Sequence, residues 1–457
     1  MRYVAADFGA GSGRVIVGSF ENEELVLDEI HRFPKRQITL NGRVYWDFLS
    51  LFEELKSGLR KAFAKYGDEI YSIGVDTWGV DFGLIDGNGH LLANPVCYRD
   101  SRTKGMLEEA FERLPKEDFF ALASNQFMEI NTAFQLLSAT LTKDVALKNA
   151  KKLLFMPDLF NYFLTGKTFN EYTISSTSQL LNSQTKKWDK TIFSALDLDR
   201  DLMQKIIFPQ TVIGDLTAEI CAEVGGNAKV VAVGSHDTAS ALASIRTNEN
   251  DWAFISSGTW SLMGVKVDEP IQTPEAMDSN FTNEGTVDGK IRFLKNITGL
   301  WLIQSLVKEW EKQGQQCDYS VLVSEAENST CNSVIDVDDV HFANPISMSK
   351  AIGDFCERTN QEKPVTNGDF MRCVCLSLAT KYAEVKQQLE DCSGKEINKI
   401  YIVGGGSRNR LLNKFTEEKT GCKVILGDVE ATAIGNIKVQ AEWAGELSKE
   451  NPLMLKG

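Results

Sequence analysis

Two stretches in opposite halves of this chain follow one plan: an apolar strand, a tip of small residues and a second apolar strand. Near the N-terminus residues 3–6 are apolar, Asp7 closes the run, Gly9, Gly11 and Gly13 form the tip, and VIVGSF at 15–20 supplies the second strand. At 252–265 the segment WAFISSGTWSLMGV repeats the scheme, with Ser256, Ser257, Gly258 and Thr259 at its tip. A repeat on this scale predicts two domains of similar plan. Length agrees, because 457 residues exceed what one core ordinarily organises. The repeat and the helix starts place the boundary near residue 245, giving domains 1–245 and 246–457. Strand and helix patterns alternate along both halves, which predicts an α/β architecture.

Local signals fill in the first half. Asn41-Gly42 between ITL and VYW predicts a hairpin, since that dipeptide accepts the positive φ angles of a type I′ turn. Asp47 is the expected cap of a helix that buries Phe48, Leu51, Phe52, Leu55, Leu59 and Phe63. YSIGVDTWGVDFGLIDGNGHLL reads as two apolar strands broken at Asp76-Thr77-Trp78. The formal charge of −14 argues against nucleic acid as a partner. No apolar run suits a secretory signal or a membrane span, and the scattered cysteines read as reduced thiols, so the expected place of work is the cytoplasm.

Several segments carry candidate chemistry. Asp7 to Arg14 can bind phosphate, because glycines let backbone N–H groups converge on an anion, and Asp7 at the end of a buried strand can hold a hydrated Mg²⁺. The dinucleotide fingerprint fails there: position 14 is Arg, and a strand follows where a helix is required. Gly166-Lys167-Thr168 is no Walker A loop, since position 161 is Asn; it reads as a helix end with its glycine cap. KVVAVGSHDTASALAS is a buried strand turning into a helix, with Ser235, His236 and Asp237 at the helix start. Asp237 is either a cap or a base that accepts a hydroxyl proton. His236 either contacts substrate or supports the turn. Gly404, Gly405 and Gly406 can seat a flat ligand such as adenosine, or form an ordinary strand-to-helix turn. Asn296, which precedes an expected helix, and Gln304 on that helix have amides suited to purine or ribose. Trp78, Gly79 and Asp81 suggest a sugar floor, an aromatic face beside a carboxylate for two hydroxyls, or simply a strand pair with a buried Trp. CYRDSRT at 97–103 reads as a salt-bridged loop, and the tail after residue 440 matches no motif.

DFGAGSGR, DTWGVDFG, YRDSRT, GSHDTASA, SSGTWSLMG, LKNITGLW and VGGGSRN, in this order and spacing, resemble the FGGY carbohydrate kinase family from Asp7 to about Gly435. The resemblance implies two ribonuclease-H-like domains of the actin/Hsp70/hexokinase type, with ATP and sugar in an interdomain cleft. It implies Mg²⁺ with ATP as cofactor and a small ketose as partner, L-rhamnulose first, phosphorylated at its 1-hydroxyl. By that similarity Asp237 is the catalytic base. Ala10, Gly11, Ser12, Gly13 and Arg14 hold phosphates, Thr259, Gln304 and Gly405 contact ATP, and Gly79, His236, Thr238 and Asn296 face the sugar. For Asn296 the resemblance displaces the nucleotide reading. Many relatives carry a hydroxyl residue where this chain has Gly11, which removes one side-chain donor and leaves the backbone donors. Two rivals remain: a kinase for another ketose such as L-fuculose or L-xylulose, and an ATPase of the actin or chaperone kind.

Overall fold

In the computed structural model, residues 1–448 are described except 10, 22, 23, 35, 248 and 344, together with the backbone of a short strand, Met454–Leu455. β1 (Arg2–Phe8) is buried along all but its first residue, as a strand flanked on both sides and covered on both faces must be. It runs antiparallel to β2 (Ser12–Glu21), which puts Asp7 opposite Arg14 and Phe8 opposite Gly13. β3 (Glu24–Pro34) continues the meander beyond β2. After it, β4 (Gln37–Leu40) and β5 (Arg43–Trp46) form the hairpin expected at Asn41-Gly42, whose φ angles are 50° and 78°. Asp47 caps α1 (Phe48–Tyr66) by accepting from the Ser50 amide, an interaction of about 1 kcal/mol. The helix buries Phe48, Leu51, Leu55, Leu59, Ala62 and Phe63, and Phe52 packs at the margin.

α1 returns the chain so that β6 (Ile70–Thr77) pairs in parallel with β1, which sets Asp76 beside Asp7. The strands Lys229–Val231 and Val212–Asp215 extend the sheet beyond β6. Phe82–Ile85 leaves this sheet and pairs antiparallel with Lys152–Phe155, so the two apolar runs flanking Asp76-Thr77-Trp78 are not neighbours. The opposite face of the sheet is covered by the helix Ala431–Trp443, whose Ile434, Ile437 and Ala441 pack on Tyr3, Ala5, Ile16 and Leu25.

The second half repeats the plan. Trp252–Ser257 and Trp260–Val267 form an antiparallel hairpin, and Trp252–Ser257 also pairs in parallel with Lys399–Val403, which pairs with Lys423–Leu426. The chain divides into two compact units, Met1–Thr247 with Val267–Phe293 and Thr432–Gly457, and Asn248–Lys266 with Leu294–Ala431. Segments from the second half thus return to the first unit, where a sequence reading drew a single break near residue 245. Among the described residues no helix is long and apolar enough to cross a membrane. The cysteines are free thiols, with Cys373 and Cys375 buried on the long helix Asn367–Ser393.

Candidate functional site

In the first unit the C-terminal ends of β1 and β6 bring two carboxylates together. Asp7 and Asp76 are fully buried neighbours across the parallel pair. Arg14 Nε donates to Asp7 Oδ2 at 2.8 Å, and Asn436 Nδ2 donates to Asp76 Oδ2 at 2.6 Å. The other oxygen of each, Asp7 Oδ1 and Asp76 Oδ1, is buried with no hydrogen-bond partner. Burial pushes the Asp76 carboxyl well above the usual carboxylate range, and the charges of Asp7 and Asp237 push the same way. Orphaned buried oxygens are costly on their own. Hard oxygen donors at a strand end fit Mg²⁺, which takes one or two carboxylates and keeps its remaining positions for water and phosphate. Among the described residues no group of three or more acidic, His or Cys side chains forms a cage for a metal. Ala10 lies outside the described residues. Gly11 is open, whereas a Cβ on Gly13 would clash with the Phe33 ring, so packing requires that glycine.

The strand Lys229–Val231 leads into the helix Asp237–Ala243 with His236 at the cap position. Thr77 N donates to Ser235 O at 2.9 Å and His236 N to Thr173 Oγ1 at 3.2 Å, which fixes the turn against β6 and the helix Tyr172–Ser175. Asp237 is the first helical residue. Its side chain keeps 23% exposure, while Asp7, Asp76 and Asp81 have none. Thr238 Oγ1 donates to Asp237 Oδ1 at 3.2 Å, and His236 Nε2 lies 3.5 Å from the same oxygen. A Cβ on Gly79 would sit 3.2 Å from His236 Nε2 and 3.3 Å from Thr177 Oγ1. Gly79, His236, Asp237 and Thr238 therefore gather at one place. Beside them Val80 has φ of 65°, a strained conformation for a β-branched residue, held by Thr177 Oγ1 on its N–H and Thr132 Oγ1 on its carbonyl.

Sequence reasoning missed the support beneath His236. Arg292, fully buried, donates from Nη2 to His236 Nδ1 at 2.5 Å, and from Nε and Nη2 to Glu284 Oε2 at 3.1 and 2.7 Å. Burial, with the Arg292 charge, holds the His236 imidazole well below its usual range, so it is neutral. Burial raises the Glu284 carboxyl against the opposing pull of Arg292. The signal was faint: in IRFLKNIT a lone arginine between Ile291 and Phe293 reads as the solvent side of an alternating strand, yet residues 291–294 are all buried.

Trp78 and Asp81 depart from the sugar-floor reading. Asp81 is fully buried; its Oδ2 accepts from Trp46 Nε1 at 2.6 Å, Trp78 Nε1 at 2.9 Å and Tyr98 N at 3.2 Å, and its Oδ1 from Gln135 Nε2 at 3.1 Å. Both tryptophans are buried, with ring centroids 4.3 Å apart. Protein donors occupy this carboxylate, which ties β5, the Trp78 turn and the Tyr98 loop together. In that loop Asp100 accepts from Arg102 N and Val44 N, and Arg102 Nη2 donates to Gln135 Oε1.

In the second unit Thr259 Oγ1 donates to Gln304 Oε1 at 3.2 Å, which brings these two expected ATP contacts together. Gly404 has φ of 82°, Gly405 is exposed with open space at its Cβ position, and a Cβ on Gly406 would lie 1.9 Å from Ser257 Oγ. The triple glycine therefore lets the loop approach the hairpin tip. Asn409 caps the following helix, Arg410–Thr420, by accepting from Leu412 N. Asn296 is half-buried on the strand Ile291–Thr298.

Residues 2–244 match the N-terminal domain of the FGGY family of carbohydrate kinases, and residues 253–443 its C-terminal domain. A rhamnulokinase of Bacteroides thetaiotaomicron is 43% identical over 446 residues, 97% of this chain and 91% of that protein. A rhamnulokinase of Oceanobacillus iheyensis is 40% identical over 437 residues, 96% and 92% of the two chains. The ligand-bound xylulose kinase from Lactobacillus acidophilus shares the fold, with a TM-score of 0.78 at 14% identity over 98% of this chain and 90% of that one.

Proposed function

Since this chain belongs to the FGGY family of carbohydrate kinases, we propose that it transfers the γ-phosphoryl group of ATP to the 1-hydroxyl of L-rhamnulose. The acceptor follows from full-length relatives at 40–43% identity that are rhamnulokinases. The observation that carries the mechanism is the exposure of Asp237. Among the described carboxylates at this end of the sheet its side chain is the most exposed, which suits it to meet a hydroxyl.

Asp237 accepts the proton of the attacking hydroxyl as that oxygen bonds to the γ-phosphorus and ADP leaves in line. His236, Gly79, Thr238 and Asn296 orient the sugar. Backbone donors of the first tip and Arg14 take phosphate oxygens, while Thr259, Gln304 and Gly405 serve ATP. Asp7 and Asp76 would hold Mg²⁺, through water, by their unpartnered oxygens. Bound with ATP, the ion offsets charge on the phosphoryl oxygens. The reaction belongs where ATP is abundant, in the cytoplasm.

Asp237→Asn removes the base and keeps the shape of the side chain. It should lower kcat for sugar-dependent ADP release by about 100- to 10,000-fold. ATP affinity, read by fluorescent nucleotide titration, should stay within about twofold, since that side chain gives nucleotide nothing. Retained turnover would remove Asp237 from the mechanism.

A further inference from the structure

We propose that Arg292, backed by Glu284, is a positioning residue that locks His236 in the Nε2–H tautomer and so makes its outer nitrogen a hydrogen-bond donor toward the acceptor sugar. The direction toward sugar rests on the function proposed above; the lock itself rests on geometry. A guanidinium has only hydrogens to offer, so the 2.5 Å contact from Arg292 Nη2 requires His236 Nδ1 to be an acceptor. A neutral imidazole then carries its hydrogen on Nε2. The alternative is an Nδ1–H aimed at Glu284 Oε2, 3.5 Å away, and it would set two hydrogens against each other across the Arg292 contact. Glu284 in turn holds Arg292 through Nε and Nη2, so the guanidinium cannot swing away from the ring.

Nε2 faces Asp237 Oδ1 at 3.5 Å and the bare backbone of Gly79. A locked N–H there gives a sugar hydroxyl one donor beside the carboxylate that takes its proton. The charged groups that face the ring are Arg292 and Glu284 on their strands and Asp237 on its own helix, with Glu171 behind the Thr173 hydroxyl that receives His236 N–H. Burial raises Glu171 to about 7, and Arg292 acts on it in the opposite sense.

The chain has only four histidines, so long-range ¹⁵N–¹H spectra of the wild-type imidazoles, with His236→Gln for assignment, read the tautomer directly. His236 should show Nε2–H and no titration between about pH 8 and pH 5.5. An Nδ1–H form, or a titration near 6.5, would overturn the lock. The paired variant Arg292→Met/Glu284→Met removes the lock without stranding a buried charge. It should mix the tautomers, which the same spectra read, and lower kcat/KM for sugar by about 2- to 10-fold, the size of one lost neutral hydrogen bond. KM for ATP should be unchanged, and Arg292→Lys should recover part of the loss. A folded pair variant that keeps the Nε2–H form alone, or wild-type kcat/KM for sugar, would overturn the proposal. If the spectra show the lock but His236→Gln keeps full kcat/KM for sugar, the sugar-facing reading falls and the tautomer stands.

Discussion

At Asp81 four donors converge on a carboxylate with no exposed surface, whereas Asp237, which accepts from the Thr238 hydroxyl and lies 3.5 Å from His236, stays in part open. Residue type is the same; environment divides structural support from chemistry. His236 shows the same division through pH. Its folded pKa lies well below the unfolded value of about 6.5, so the unfolded chain binds a proton that the folded chain refuses. The stability from this site is therefore complete above about pH 6.5 and is lost as pH falls below it, by about 1 kcal/mol for the first unit. In urea titrations at about pH 7.5 and 5.5, wild type should lose more stability than His236→Gln by that amount; equal losses would mean that His236 takes up its proton in the fold. A carboxylate's presence was legible in DFGAGSGR and DTWGVDFG, but not which of its oxygens is left without a partner. That depends on Asn436, Gln135 and Trp46, which arrive from distant segments.

Elements read well from sequence wherever the signal was local. The glycine tip, the Asn41-Gly42 hairpin, the Asp47 cap and the Gly166 helix end depend on a few adjacent residues, and the fold has each of them. The partner of Phe82–Ile85 lies dozens of positions away, and the return of the helix Ala431–Trp443 to the first sheet depends on contacts hundreds of positions apart. That helix has no charged stripe to mark its destination. Its Asn436 and Gln440 look like ordinary surface amides, yet Gln440 donates to Val4 O and accepts from Ser72. Gly435 tests how tightly it seats. Alanine within a helix normally gains about 0.5–1 kcal/mol over glycine, but a Cβ here would lie 1.7 Å from Ser240 O, a backbone atom of the helix bearing Asp237. Overpacking of about 1–3 kcal/mol should win, so Gly435→Ala should lower the urea midpoint. A raised midpoint would show that the two helices are free to separate.

Over the whole molecule, the duplicated hairpin of the sequence reappears as two sheets, each with an antiparallel pair whose first strand also pairs in parallel with a later strand. The mixed α/β fold of the FGGY carbohydrate kinases follows that plan across 98% of the chain. A net charge of −14 does not oppose use of ATP, because fields from distant carboxylates are screened over about 8 Å in physiological salt. Acceptor choice was the part least legible from spacing, since a few hydroxyl contacts decide it and a missing one costs far more than a missing methylene. The most direct test measures ADP release with Mg²⁺·ATP and, separately, L-rhamnulose, L-fuculose, L-xylulose, D-xylulose, glycerol or no acceptor. Release should be fastest with L-rhamnulose, absent without acceptor and abolished by Asp237→Asn. Equal release without any sugar would contradict the kinase account, and a clear preference for another sugar would contradict the acceptor.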